Sequence, residues 1–119
     1  MGQPRYDSTR NQFVASSAGD ETLQPIDGAI THVEGIHALT KASAGAYTLA
    51  APTADKAGMK IFIVSRSAFA HVVTVAGGLG GTAADDVLTF AAKVGSGIEL
   101  QADGLFWVPT SAPYGVVIS

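Results

Sequence analysis

The hydrophobic residues of this chain recur mainly with a period of two, the spacing that places alternate side chains on one face of a β-strand. Segments with this pattern, or with a short apolar run, are 30–34, 36–41, 46–50, 59–65, 71–76, 87–92, 98–102, 105–108 and 114–118. Glycine- and proline-containing turns separate them. The pattern predicts an all-β fold, a single compact antiparallel β-sandwich or barrel of the jelly-roll type.

Three local features refine this prediction. Met59–Ser65 is the most apolar run of the chain, which indicates a strand buried on both faces. Asp103-Gly104 is a favoured two-residue hairpin turn between 98–102 and 105–108. Because alanine favours helix, short helical pieces are expected only within 83–87 or 42–46.

Residues 1–28 differ from the rest of the chain. They are rich in Gln, Asn, Ser, Thr, Asp and Gly, and their apolar residues occur mostly alone, as at Tyr6, or as the pair Phe13-Val14. Apolar anchors in a polar segment are typical of a chain that becomes ordered on binding. We therefore expect an extended N-terminal arm at 1–28 and one β domain at 29–119, because 119 residues suffice for a single domain.

Composition narrows the classes of function. Hydrophobic residues make up 47% of the chain, but 20 residues are alanine, so few bulky side chains are left to form the core. Charged residues are only 14% and the net charge is −3, which argues against a nucleic-acid partner and suits a surface buried against other proteins. There is no cysteine, and we expect no signal peptide and no membrane span.

Candidate metal ligands are few. His32 and His37 are five residues apart and would point to opposite faces of one strand, so buried or interfacial histidines are favoured over a zinc site, and His71 is treated in the same way. Asp85 and Asp86 are favoured as solvated turn residues over a calcium site. No metal or other cofactor is therefore predicted.

Catalytic motifs are also missing from the sequence. The glycine-rich loop 77–82 lacks the Lys-Ser/Thr ending of a phosphate-binding loop, and Gly95-Ser96-Gly97 lacks the context of a nucleophile elbow. Trp107 is expected in the core or at a subunit interface, with Phe62 and Phe106, rather than on a sugar-stacking platform. The chain is predicted to have no catalytic residues and not to be an enzyme.

Four segments within 46–109 resemble the small head-decoration, or cement, proteins of tailed bacteriophages. These segments, about half of the chain with the turns between them, are Tyr47–Pro52, Gly58–Ser65, His71–Val75 and Ile98–Val108. The resemblance implies a homotrimer on the outer capsid surface of the virion, where it braces subunits of the major capsid protein. It also implies an N-terminal arm.

Physical reasoning leads to a compatible function. Since the alanine-rich core is thin, association would bury further apolar surface, and several arms on one oligomer would bind with avidity. We expect the arms and the base of the β domain to hold adjacent capsid subunits and so stabilise the shell. Its candidate anchors are Arg5, Tyr6, Arg10, Phe13 and Val14. The alternatives are a receptor- or carbohydrate-binding domain of a head or tail fibre and another tail structural protein.

Overall fold

The structure, a computed structural model, describes residues 5–7, 12–14 and 21–119. In this part of the chain the secondary structure consists of short strands and three single 3₁₀ turns. The strands are β1 (Arg5–Asp7), β2 (Gln12–Val14), β3 (Glu21–Gln24), β4 (Gly28–Ala29), β5 (Gly35–Leu39), β6 (Ala46–Leu49), β7 (Lys60–Ser65), β8 (Val72–Val75), β9 (Val87–Phe90), β10 (Gly97–Ala102), β11 (Trp107–Pro109) and β12 (Val116–Ile118). The 3₁₀ turns are Ala54–Lys56, Leu79–Gly81 and Ala83–Asp85.

Ten of these strands form two five-stranded sheets. The first sheet has the order β11-β10-β7-β5-β3, and the second has the order β12-β9-β8-β6-β4. β1 and β2 pair only with each other, in a separate antiparallel sheet. The prediction of an all-β fold is confirmed.

Both five-stranded sheets are mixed. From β3 to β8 the chain alternates between the sheets, so each strand reaches its neighbour after a full turn and runs parallel to it: β3 with β5, β5 with β7, β4 with β6, and β6 with β8. The remaining pairs are antiparallel. The predicted antiparallel arrangement, and with it the jelly roll, is wrong because of these crossings. The barrel is wrong because each sheet ends in two edge strands.

Side chains from both sheets form one hydrophobic core. Alternate residues of the strands from β5 to β12 point into it, as the period of two requires. The buried members are Ile30, Leu39, Tyr47, Leu49, Ile61, Ile63, Val73, Val75, Leu79, Leu88, Phe90, Ile98, Leu100, Ala102, Trp107 and Val116. The core therefore has few aromatic side chains, and most of its volume comes from Leu, Ile and Val.

Most strand positions follow the sequence pattern closely. β7 lies in the middle of the first sheet, with Ile61 and Ile63 buried in the core. Its other side is exposed at Lys60, half-buried at Phe62 and buried at Val64, so the predicted burial on both faces holds only towards the end of the strand. The strand predicted at 30–34 is wrong, since only Ile30 in that segment bonds to the second sheet, through its N–H and Thr48 O at 2.8 Å.

Two local predictions also change. The side chain of Asp103 accepts hydrogen bonds from the N–H groups of Leu105 and Phe106 at 2.9 and 2.7 Å, and this widens the expected two-residue turn into a loop of 103–106. Alanine-rich helix occurs only as the 3₁₀ turn Ala83–Asp85, and 42–46 contains bends and the start of β6. β3, at 21–24 within the segment assigned to the arm, is an edge strand of the first sheet.

Candidate interaction surfaces

No strand position on the outer face of the second sheet carries a charged side chain. A charged pair, Asp27 and Lys41, borders the face beside β4, and Asp27 accepts a hydrogen bond from Ala46 N–H at 3.0 Å. The face is formed by the residues that alternate with the core positions of the sheet. One row across the sheet is Ala46, Val72, Thr89 and Val117, and the next row is Ala29, Thr48, Thr74 and Val87. We call these two rows the uncharged face.

The uncharged face shares one property with contact surfaces, its lack of charge. Its alanine, threonine and valine side chains are small or β-branched, and Val117 is 64% exposed. Depletion of charge is the feature that distinguishes the centre of a protein interface from the rest of the surface. The sequence pattern of single strands did not predict the uncharged face, because the face depends on which strands are neighbours in the sheet.

The outer face of the first sheet is different. It carries charged side chains at Glu21, Lys60 and Glu99, and Arg66 forms an ion pair with Glu21 at 2.5 Å. Phe62, a predicted core or interface residue, is half-buried on this face and its ring lies across Gly97. A Cβ on that glycine would come within 2.7 Å of the ring.

An open groove of about 640 Å³ lies at the β11 end of the first sheet. Its lining includes the polar side chains of Lys60, Gln101, Asp103 and Thr110 together with Val108. Gln101 donates from Nε2 to Gly58 O at 3.3 Å. The groove is wide and contains a single cationic side chain, so its chemistry does not select a particular ligand.

Phe106 joins the two sheets through a glycine-rich loop. It precedes β11 of the first sheet, and its half-buried ring lies against Gly77 and Gly81, which follow β8 of the second sheet. A Cβ on Gly81 would come within 2.8 Å of the ring. The glycines of 77–82 therefore allow the ring of Phe106 to pack closely against the loop backbone. From the sequence alone, this loop was compared only with phosphate-binding loops.

Trp107 lies in the hydrophobic core with an exposed fraction of 0%. Its Nε1–H donates to Ala50 O at 2.9 Å, just beyond the end of β6, and the ring of His32 contacts its edge at a centroid distance of 5.4 Å. Trp107 thus connects the first sheet to the second. Its ring presents no exposed surface on which a sugar could stack.

His71 is the centre of a buried polar link. Gly45 N–H donates to Nδ1 of His71 at 3.0 Å, and Ser67 Oγ lies 2.8 Å from Nε2. Since a backbone amide only donates, Nδ1 is unprotonated and Nε2 carries the proton of the neutral ring. The Ser67 hydroxyl donates to Lys41 O at 2.6 Å. In this arrangement the imidazole does not accept the proton of Ser67, and the pair connects two loops rather than forming a nucleophile with its base.

His37 is buried in the first sheet and is only half satisfied. Its Nε2 lies 2.6 Å from Val33 O, so Nε2 carries the proton, and Nδ1 has no hydrogen-bond partner among the described residues. Burial lowers the pKa of His37 below its ordinary value of 6.5, against the opposing effect of the Val33 carbonyl. Burial, with the charge of Lys41 as a smaller cause, also lowers the pKa of His71.

The metal sites weighed from the sequence have no cluster of ligands in the structure. Within 21–119 and the two described N-terminal strands, no three His, Asp or Glu side chains come together. Asp85 and Asp86 are half-buried and lie at and just after the end of a 3₁₀ turn. The described residues also contain no helix that is long and apolar enough to cross a membrane.

Four of the five candidate arm anchors lie on the β1–β2 hairpin. Arg5 is opposite Val14 and Tyr6 is opposite Phe13 in its register. Arg10 lies outside the described residues. The hairpin therefore brings these four backbone positions together, which sequence periodicity did not indicate.

Comparison with known proteins adds no family to these observations. Neither a protein-family model nor a curated protein matches the chain. The surfaces of the described residues are therefore the basis for a functional proposal.

Proposed function

We propose that this chain is a structural protein of a bacteriophage virion, which decorates the outer surface of the capsid and stabilises contacts between major capsid subunits. The observation that carries the proposal is the uncharged face. A sheet surface with no charge at its strand positions is suited to contact with another protein and contributes little to solubility. The low charge of the whole chain, 14%, and its resemblance to small cement proteins support the same function.

The proposed architecture is a β-sandwich that works as an oligomer. The two five-stranded sheets contribute to one core, and this favours a sandwich in which they pack face to face. The resemblance implies three copies. Each copy would bring one arm, with Arg5, Tyr6, Arg10, Phe13 and Val14 as capsid anchors, and linked arms would bind more tightly than one.

The test uses the full chain and shells that lack it, assembled from the major capsid protein of the same virus. We expect the chain to sediment with the shells and to raise the temperature at which they break. Deleting 1–14 should leave a folded oligomer that no longer binds, because the anchors are lost while the core is intact. Unchanged binding of the shortened chain would contradict the role of the arm, and no binding of the full chain would contradict capsid decoration.

The alternative of a carbohydrate-binding fibre domain has no specific support in the described residues. Its main candidate was Trp107, and that ring is enclosed in the core. A glycan array probed with the full chain would bring the alternative back if it gave a signal that sugars compete away.

A further inference from the structure

β12 is an edge strand of the second sheet that has neither a charge nor a proline to oppose pairing. Sheet edges present unpaired N–H and C=O groups, and proteins normally protect them with charges, prolines or very short strands. The other three edges have such features: β11 ends in Pro109, β3 begins with the charged Glu21, and β4 is only two residues long. β12, Val116–Ile118, is as short as β11, with three residues, but it has no charge and no proline.

The backbone of β12 is satisfied on one side only. Gly115 O accepts a hydrogen bond of 2.7 Å from the residue after β9, and Ser119 exchanges bonds of 2.9 and 2.8 Å with the first residue of β9. Alternate residues of an antiparallel strand face the same partner, so Val117 also directs its backbone groups to β9. Val116 and Ile118 direct theirs away, and in the described part of the chain no strand lies beyond β12.

We propose that β12 pairs antiparallel with β12 of a second copy of this chain, with the two Val117 residues opposite each other. In this register Val116 of each copy lies opposite Ile118 of the other. The outward N–H and C=O groups of both residues then meet and form hydrogen bonds. The two Val117 side chains occupy a non-hydrogen-bonded position, where opposite side chains are closest.

The occupant is a second copy because an identical strand meets every requirement of this edge. The partner must offer free backbone groups on alternate residues and an uncharged, β-branched side chain against Val117, which is 64% exposed. β12 has both, and antiparallel pairing about Val117 gives a two-fold axis, the commonest symmetry of homo-oligomers. The second sheets of the two copies then form one continuous sheet, and the uncharged face extends across both.

This contact is independent of the proposed capsid role. It joins two single copies, or it joins two trimers if three copies assemble as proposed above. A chain that pairs through β12 but does not bind shells would keep this inference and exclude capsid decoration. A chain that binds shells but does not pair through β12 would exclude this inference and keep capsid decoration.

The first test is disulfide trapping. The chain has no cysteine, so Val117→Cys introduces a single thiol, and the proposed register places two such thiols within reach of a disulfide. The matched control is Leu105→Cys, 69% exposed in the loop between β10 and β11. Under mild oxidation we expect linked pairs of the full-length Val117→Cys chain to form at least about tenfold faster. Equal rates for the two variants would overturn the proposal.

The second test measures association without a cross-link. Val117→Lys places two like charges opposite each other, and sedimentation should show association of the full chain weakened at least about tenfold. Leu105→Lys should associate like the unchanged chain. Equal denaturation midpoints would show that both variants fold. Association unaffected by Val117→Lys, or an unchanged chain that stays monomeric at every concentration, would refute pairing through β12.

Discussion

The two sheets share one core but differ on their outer faces. The first sheet presents Glu21, Lys60 and Glu99 to its outer side, beside apolar residues such as Leu23, Phe62 and Val108. The strand positions of the second sheet present only alanine, threonine and valine there. The inner faces of both sheets are buried in the same core, so both are apolar. Under the proposed function, this difference in charge makes the second sheet the candidate contact side of the molecule.

The edges of the sheets show the same contrast. The first sheet ends in Pro109 on one side and in a strand with an ion-paired Glu21 on the other. The second sheet ends on one side in β12, which has neither charge nor proline. We propose that face and edge together make the second sheet the contact side, and the following predictions test this division from the shared core outward.

The largest effect is expected for the residue that connects the two sheets. Trp107→Ala should lower the free energy of unfolding by about 3–5 kcal/mol, because it leaves a cavity in the core and removes the bond to Ala50 O. Chemical denaturation of the full chain measures this. Trp107→Phe keeps most of the ring and should cost less, about 1–3 kcal/mol, since Ala50 O loses its donor. Equal stability of all three proteins would contradict a core that depends on this link.

A smaller effect is expected where Phe106 meets the glycine-rich loop. Gly81→Ala should cost about 1–3 kcal/mol more than Gly95→Ala in thermal or chemical denaturation. Both glycines have positive φ angles, 82° and 97°, so both variants are strained, but only at Gly81 would the new Cβ meet the ring of Phe106. Phe106→Leu should reduce the difference. The same cost at both glycines would show that this packing does not join the sheets.

Acid should weaken the fold through one histidine next to each sheet. Burial lowers the pKa of both His37 and His71 in the folded protein, so the unfolded chain binds more protons at mildly acidic pH. The free energy of unfolding should therefore be highest above about pH 6.5, the ordinary pKa of the group, and should decrease as the pH falls below it. Denaturation curves between pH 7.5 and about 5 would show this trend.

Variants separate the two histidines. His71→Gln should flatten part of the pH dependence, because protonation of Nδ1 competes with the bond from Gly45 N–H. His37→Gln should remove the remainder, since His37 already lacks a partner for Nδ1. A pH profile that neither variant changes would contradict the assignment.

The smallest effect on stability, and the largest on binding, is expected on the uncharged face. Thr74→Lys, on an exposed position of β8, should change the free energy of unfolding by less than about 0.5 kcal/mol. It should weaken binding to shells, because the charge would be buried in the contact. Gln101→Lys, on the outer face of the first sheet, is the matched control and should bind normally. Weaker binding of the control alone would reverse the assignment of the two faces.

The sequence predicted most strands because their signal is local. A period of two shows which residues share a face, and the apolar run 59–65 indicated the central strand β7. The direction of pairing was not predictable in this way, since parallel and antiparallel neighbours have the same alternation. The side-chain cap of Asp103 and the crossings between sheets decide the turn and the topology, and both depend on contacts in three dimensions.

The interaction surfaces were predictable only in part. Low charge pointed to contact with other proteins, but the uncharged face exists because Thr48, Thr74 and Val117 come from strands that are neighbours only in the folded sheet. Phe62, Phe106 and Trp107 were predicted together, as core or interface residues, because all three are aromatic. In the structure Phe62 lies half-buried on the outer face of the first sheet, Phe106 packs against a loop, and Trp107 lies in the core. Their burial depends on packing partners that a single sequence does not show.

Amide hydrogen exchange of the full chain at low and high protein concentration tests the second sheet as the contact side most directly. The N–H groups of Val116 and Ile118 face away from β9 and should exchange quickly when the chain is dilute. At high concentration we predict that both become protected, while the N–H of Val117, already directed to β9, changes little. Protection that rises with concentration only in β3 or β11 of the first sheet, or in no strand, would contradict the account.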